Sequence, residues 1–169
     1  MNTKEFLSRY AAGQRDFSEI DLIAANLKNV NLSYVNLSYA DLRGAKLSST
    51  NLTKANLSGA KLTGAQLSGT QLTGANLTNA DIRQTDLTQT NLSYGHLCGA
   101  DLCSANLLNV DLTGANLSGA NLSGANLSGV NFTKANLAMS NLTDADMSDI
   151  NLSGANLSGA TMPDGTTHN

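Results

Sequence analysis

The sequence predicts an all-β solenoid with four-sided coils, and three regularities in its 169 residues support that prediction. A large apolar residue recurs at every fifth position from Phe17 to Met162, and twenty-five of these thirty positions, here called centres, are Leu. The residue before the centre is Asn or Asp in twenty-four of the thirty units, and the residue two before it is mostly Ala. Residues at this second position vary with a period of twenty. Such a regular repeat indicates the fold class before any local secondary structure is considered.

The five-residue period excludes both regular secondary structures as one continuous element. On an α-helix five residues turn about 500°, so successive centres would spread around the axis and form no apolar face. On a flat strand side chains alternate between faces, so an odd step would place successive centres on opposite faces. The chain is therefore predicted to bend once in each unit, so that every centre and the small residue two before it face one interior.

The residues two before the centre indicate how many units form one coil. Every twentieth residue from Val30 onward is β-branched, whereas the other three columns at this spacing are mostly Ala. Four units therefore form one coil, and thirty units form about seven and a half coils. The predicted structural core is represented by Leu22, Leu57, Leu97, Leu117, Phe132, Val30, Thr50, Thr70, Thr90, Val110, Val130 and Ile150.

The residues before the repeat predict a cap for the first coil, since a solenoid end exposes apolar side chains and unpaired backbone. Thr3 or Asn2 is a suitable N-cap, apolar residues follow at helical spacing, and Gly13 is a suitable stop. We therefore predict a short helix over Thr3–Ala12. Residues 1–15 form the predicted capping segment, residues 16–163 the repeat and residues 164–169 a polar tail.

The other end of the repeat has no helical sequence to cover it. One interpretation is an open last coil that forms a homodimer through Leu152, Leu157 and Met162, because burying each such side chain contributes roughly 1.5–3 kcal/mol. The other is that the polar tail folds across the coil. The sequence leaves both open.

The A-[N/D]-L-x-x units over residues 17–162 resemble the pentapeptide repeat family. This resemblance implies a right-handed quadrilateral parallel β-helix, with the centre and the preceding Ala inside. It also implies a function for a subset, because some members are DNA mimics that inhibit or protect type II topoisomerases such as DNA gyrase.

An acidic column relates the sequence to that subset. Asp21, Asp41, Asp81 and Asp101 are separated by multiples of twenty, each just before a centre, and are predicted to form one outward stripe. Lys61 interrupts the stripe, and Arg43 and Arg83 follow two of the aspartates on the same face. We therefore expect the stripe to be largely neutralised.

The composition excludes several functional classes. Charged residues are only 14% of the chain and two His are present, which leaves few groups for acid–base or nucleophilic catalysis, so we predict no enzyme, no catalytic residues and no cofactor. His96, Cys98 and Cys103 lack a fourth ligand and the spacing of a zinc finger, so we predict no metal site and two free surface thiols. With a net charge of −3 and no basic run, direct nucleic-acid binding is not expected.

The remaining features indicate a soluble interaction protein. No apolar stretch approaches the length of a membrane span and no export signal is visible, so we expect no membrane association and a cytoplasmic location. Tyr34 and Tyr39 are outward aromatic residues one unit apart, the best small candidate for a contact patch. The leading prediction is a non-enzymatic rod that acts as a protein-interaction scaffold or small regulator with an unidentified protein partner, and the alternative is a DNA mimic directed at DNA gyrase.

Overall fold

The computed structural model describes all 169 residues and contains one helix, α1, over Thr3–Ala11. Asn2 is the N-cap and its side chain accepts a hydrogen bond from the backbone amide of Glu5 at 2.8 Å, which satisfies one of the free amides of the first turn. The predicted helix is thus present and ends one residue earlier than expected. Gly13 follows with a φ of 98°, a conformation that Gly adopts without steric cost.

Helix α1 covers the first coil through one buried aromatic contact. Phe6 is fully buried, and its ring packs edge-to-face against the ring of Phe17 with 4.6 Å between the centroids. The Tyr10 hydroxyl donates a hydrogen bond to the backbone carbonyl of Ser33 at 2.8 Å, which fixes the other end of the helix. The N-terminal end of the solenoid is therefore closed.

The rest of the chain winds into coils of twenty residues. Parallel β-bridges join residues twenty apart, at every fifth residue from Asp16↔Asn36 to Asn141↔Thr161. Each bridged residue lies just before a centre, so one coil has four sides. The expected straight sides are shorter than a strand: one residue of each side is bridged, and two turn residues follow it after the centre. The chain bends too often for a longer ladder to form.

Hydrogen bonds between coils follow one scheme throughout the repeat. The amide of a centre donates to the carbonyl nineteen residues later, as from Leu37 to Asn56 at 2.7 Å. The amide before a centre donates to the carbonyl twenty-one residues earlier, as from Asp41 to Ile20 at 2.9 Å. Each coil is thus bonded to its two neighbours, and stability is built from contacts between adjacent coils.

The corner of each unit, two residues after the centre, is left-handed. Its φ lies near +60° in almost every unit, whether the residue is Gly or a larger one such as Tyr94. A side chain at a corner leans toward the corner residue of the next coil. Where that next residue is Gly, as Gly114 is beyond Tyr94, the ring occupies the space of the missing Cβ.

The core is one continuous cluster of 46 buried apolar residues, made of Phe6 from α1, the buried centres and the buried apolar residues two before them. The Thr column is buried as well, and its hydroxyls donate to centre carbonyls of the preceding coil: Thr50 to Leu27 at 2.6 Å and Thr90 to Leu67 at 2.8 Å. Val30 and Ile150, which were predicted to belong to the core, are only partly buried. They lie in the first and last coils, which have a neighbour on one side only.

The last coil is open across its interior, as the first sequence interpretation expected, and the tail does not fold across it as the second did. The tail turns back at Pro163 and pairs antiparallel with the last side, through the bridge Thr161↔Thr167. It covers that side alone, and Leu152, Leu157 and Met162 stay partly exposed. The tail adds a strand at the edge of the last coil and does not extend across its apolar interior.

Candidate interaction surfaces

The predicted acidic column lies on one side of the rod and is partly neutralised by arginine. Asp21 pairs with Asp41, and Asp81 with Asp101, in neighbouring coils. The Arg43 guanidinium binds both carboxylate oxygens of Asp41, at 2.8 and 2.6 Å. This hydrogen bonding holds the pKa of Asp41 below its usual range. Two charges of opposite sign thus cancel at the second aspartate of the column.

The same arrangement recurs forty residues later and joins two aspartates. Arg83 binds both carboxylate oxygens of Asp81 at 2.8 Å, and its Nε lies 3.7 Å from Oδ2 of Asp101. The hydrogen bonds from Arg83 lower the pKa of Asp81 to about 2. Lys61 is bridged between Asp41 and Asp81, as the sequence predicted. Lys61 and the two arginines therefore interrupt the column, which offers no continuous acidic stripe.

A shallow depression of about 230 Å³ lies beside this second pair. Thr63, Arg83, Gln84, Cys103 and Ser104 line it. Cys103 is partly exposed, whereas Cys98 lies on the adjacent side and is exposed. Both cysteines are free, and the Cys98 sulfur accepts a hydrogen bond from the Ser118 hydroxyl at 3.3 Å.

Exposed aromatic side chains mark two corners of the rod. Tyr34 and Tyr39 occupy consecutive corners, and Tyr94 lies three coils beyond Tyr34 on the same corner. Met139 lies on the same corner as Tyr39, and these four side chains are between 61% and 73% exposed. The ammonium of Lys54 lies 5.7 Å from the ring centroid of Tyr34. Sequence reasoning selected only the Tyr34 and Tyr39 pair, although the twenty-residue period already places Tyr94 and Met139 in the same columns.

The side between these two corners, whose bridged positions run from Asp16 to Asn156, is here called the amide side. It has no charged residue after Asp16. Its bridged positions form an amide ladder interrupted once, by His96, and comprise Asn36, Asn56, Asn76, Asn116, Asn136 and Asn156. Asn56, Asn76, Asn136 and Asn156 each donate to the amide oxygen one coil before, for example Asn56 Nδ2 to Asn36 Oδ1 at 3.1 Å. Ser, Thr, Cys or Ala lies two residues further in each coil. From Asn36 onward the amide side therefore has no Asp, Glu, Lys or Arg and is hydrogen-bonded between coils.

The open end of the last coil is the third candidate surface. Met147, Leu152 and Leu157 are partly exposed there, and no helix covers them. Asp144, Asp146 and Asp149 lie on the first side of this coil, and all three are exposed. The end combines apolar area, free backbone and negative charge, whereas the N-terminal end is closed by α1.

The coil geometry and the repeat agree with the comparisons to known proteins. The family model described as pentapeptide repeats matches the chain in eight copies between residues 16 and 149. The chain belongs to the pentapeptide repeat family, whose members form right-handed quadrilateral β-helices and are generally non-enzymatic structural or regulatory proteins. No functionally curated protein matches the chain. The structure contains no helix with the length and apolarity needed to cross a membrane.

Solved structures of the family resemble the chain over most of its length. HetL of Nostoc sp. strain PCC 7120, a pentapeptide repeat protein involved in heterocyst differentiation regulation, is 33% identical, with 99% of this chain and 100% of HetL covered and a TM-score of 0.44. QnrB1, a plasmid-mediated fluoroquinolone resistance protein, is 25% identical over 83% of this chain and 78% of QnrB1, with a TM-score of 0.58. A pentapeptide repeat protein of the Arabidopsis thaliana thylakoid lumen is 32% identical over 66% of this chain and 71% of its own, with a TM-score of 0.40.

Proposed function

We propose that this protein is a non-enzymatic rod of about seven and a half right-handed coils that binds a protein partner through the amide side and its two corners. The observation that supports this proposal is the position of Tyr34, Tyr39, Tyr94 and Met139. All four exposed side chains border the side of the rod that has no charged residue after Asp16, although Lys54 and Lys134 share the corner of Tyr34 and Tyr94. Aromatic residues and Met are enriched, and charged residues depleted, at the buried centres of protein interfaces.

The amide side is also suited to partner binding by its hydrogen bonds. Burying a polar group is unfavourable when its bonds to water are lost, but less so when it is already bonded within the protein. The Asn side chains of this side bond to each other across coils, as Asn136 does to Asn116 at 3.2 Å. A partner can thus contact the surface without leaving these amides unsatisfied. The rigid backbone further limits the entropy that is lost on binding.

Affinity capture from the native cell with matched variants tests this proposal. In the test variant Tyr34, Tyr39, Tyr94 and Met139 are replaced by Asn, which tolerates the left-handed corner and already occupies it at Asn79. In the control Gln84 and Gln89, on the other two corners, are replaced by Asn. We expect one or more proteins to be captured by the wild type and the control and lost from the test variant. Equal capture by all three proteins would contradict the proposal.

A second candidate function is binding to DNA gyrase in place of DNA. It is supported by the fold shared with QnrB1 at a TM-score of 0.58, since that protein confers fluoroquinolone resistance. The Arg43 and Arg83 pairs oppose it, because they neutralise the aspartates that would imitate phosphates. Duplex DNA has one charge for each ~1.7 Å of axis, far above the density of this rod.

A gyrase supercoiling assay with charge-matched variants decides this second candidate. Asp81→Lys with Asp101→Lys changes the acidic column, and Asp86→Lys with Asp111→Lys makes the same change in net charge on two other sides. Inhibition or protection that only the first pair abolishes would establish the DNA-mimic function. No effect of the wild type on gyrase would exclude it.

Homodimerisation through the last coil and a cytoplasmic location stay predictions, to be tested by light scattering and by microscopy of a tagged chain.

A further inference from the structure

We propose that the acidic side of the last coil, residues 144–149, binds an extended segment of a partner protein in which basic and apolar residues alternate, as an added β-strand. This inference rests on the proposed function, because it specifies the chemistry of one partner. It concerns the end of the rod and not the amide side. The proposal depends on the backbone, on the charges and on the way the chain pairs with its own tail.

The backbone of this side has free hydrogen-bonding groups. Toward the preceding coil it is fully paired: the amides of Leu127 and Gly129 donate to the carbonyls of Asp146 and Ser148 at 2.8 and 2.9 Å. Away from that coil the amide of Met147, by contrast, has no partner, although the amides of equivalent centres donate to the next coil. The amide of Asp149 and the carbonyl of Ala145 are unpaired as well. This edge therefore offers two donors and one acceptor to an extended chain.

The chain already adds a strand to the neighbouring edge. His168 accepts a hydrogen bond from the amide of Gly159 and donates one to the carbonyl of Ala160, both at 2.8 Å. The bridge Thr161↔Thr167 in the same segment is antiparallel. The last coil is thus compatible with an added strand from a non-repeat segment. The side at residues 144–149 has the same kind of edge, without an occupant.

The charges specify which segment binds. Asp144, Asp146 and Asp149 are exposed along this side, and no Lys or Arg lies beyond Lys134 in the sequence. Alternate side chains of an added strand point to opposite faces. One set would contact the partly buried Met147 and the interior, and the other set would lie beside Asp146. An alternation of apolar with Lys or Arg residues satisfies both faces.

The same charges disfavour a second copy as the occupant. Two copies joined end to end would bring two sets of three carboxylates around one interface, and like charges at a close interface are unfavourable. A basic segment instead neutralises them. Charged residues also protect strand edges from pairing with other molecules. The experiment must therefore distinguish binding of a basic segment from a role in which the carboxylates only prevent such pairing.

Binding of short labelled peptides, measured by fluorescence anisotropy with the full chain, tests the proposal. The probes are Lys-Val-Lys-Val-Lys, its Glu-Val-Glu-Val-Glu counterpart, and the lysine peptide with alternate backbone amides methylated. We expect binding of the first probe only, weakened by added salt. The variant Asp144→Asn, Asp146→Asn, Asp149→Asn should reduce that affinity by about tenfold or more. Removing three carboxylates elsewhere, in Asp86→Asn, Asp101→Asn, Asp111→Asn, should change it little.

Three results would overturn the proposal. Equal binding of the methylated peptide would mean that no strand is added and that only charge attracts the probe. An equal loss of affinity for the lysine peptide in the control variant would mean that the net charge of the protein attracts the peptide without a specific site. No binding by the wild type, together with self-association of the Asp144, Asp146 and Asp149 variant in sedimentation, would show that the carboxylates guard the edge. None of these results affects the capture experiment, in which the last coil is unchanged, so the two proposals fail separately.

Discussion

The ring of Tyr94 lies over Gly114, one coil further along the same corner, and occupies the space that a larger residue would need. A Cβ built on Gly114 would lie 2.8 Å from two ring atoms of Tyr94, closer than real Cβ contacts. The relationship recurs along the rod, with Tyr39 over Gly59 and Met139 over Gly159. At these three corners Gly is favoured both by the positive φ of its own unit and by the side chain twenty residues earlier.

This relationship predicts different effects of the same substitution at two corners. Gly114→Ala and Gly119→Ala share a φ of about +65°, but nothing lies within 4 Å of a Cβ at Gly119. We expect Gly119→Ala to lower the free energy of unfolding by about 1 kcal/mol through the backbone alone. Gly114→Ala should lower it further, because the Tyr94 ring must move. Denaturant unfolding measures both, and the excess should vanish in a Tyr94→Gly background, which copies the Gly99 and Gly119 corner, so an excess that persists would disprove the steric cause.

A buried hydroxyl predicts a stabilising substitution. Ser140 is buried and its hydroxyl has no hydrogen-bond partner. The same column holds Ala at positions 40, 60, 80, 100, 120 and 160. We expect Ser140→Ala to raise the free energy of unfolding by about 1 kcal/mol, because an unsatisfied polar group leaves the core.

The control for this substitution removes a hydroxyl that has a partner. In Thr90→Val the bond to the Leu67 carbonyl is lost while the shape is kept, as Val110 and Val130 in the same column show. We expect a loss of about 0.5–1 kcal/mol, opposite in sign to the first change. Thermal unfolding compares the two variants, and a destabilised Ser140→Ala protein would mean that this hydroxyl does find a partner.

The Asp81–Arg83 pair predicts a pH dependence of stability. The pKa of Asp81 is about 2 in the folded chain, against 3.8 for an unperturbed carboxyl, because Arg83 donates hydrogen bonds to it. A depressed folded pKa contributes stability above the unfolded value, so this contribution is complete above about pH 5 and is lost as the pH falls from about 4 to 2. Since the pair is partly exposed, we expect Asp81→Asn to cost less than about 1 kcal/mol at neutral pH.

An NMR titration of the Asp81 carboxyl measures this effect directly. In Arg83→Gln we expect its midpoint to rise, because the hydrogen bonds and the charge that favour the ionised form are removed. The difference in stability between wild type and Asp81→Asn should shrink as the pH approaches 2. An unchanged midpoint in Arg83→Gln would show that this ion pair does not form in solution.

The inward and outward assignment of the repeat predicts a large contrast between adjacent residues. Leu117 is fully buried, so Leu117→Lys places an unpaired charge in the core and should cost about 4 kcal/mol or more. Asn116 is outward, and its side-chain oxygen accepts hydrogen bonds from the Ser118 amide and from Asn136. We expect Asn116→Lys to cost about 1 kcal/mol, since Lys46 and Lys61 already occupy equivalent positions. Equal destabilisation in urea unfolding would refute the assignment.

The sequence by itself determined the period of the coil, the inward residues and the capping helix. These features follow from local chemistry. Every unit must bury the apolar side chain of its centre, and the polar side chain of the residue before the centre must face water. The segregation of Thr50, Thr70 and Thr90 from the Ala columns was sufficient to predict the twenty-residue coil. Of the candidate surfaces, the acidic column, its neutralising arginines and the Tyr34 and Tyr39 pair were all predictable from residue number alone.

Only the tertiary structure decided how neighbouring coils use those residues. The reach of Arg83 to Asp101, the unpartnered hydroxyl of Ser140 and the single side covered by the tail at Thr167 depend on atoms that lie next to each other across coils. The period indicates which residues are neighbours, but not the rotamers and hydrogen bonds between them. The same is true of the free edge beside Met147, since its backbone is unpaired only because the tail adds its strand to a different side.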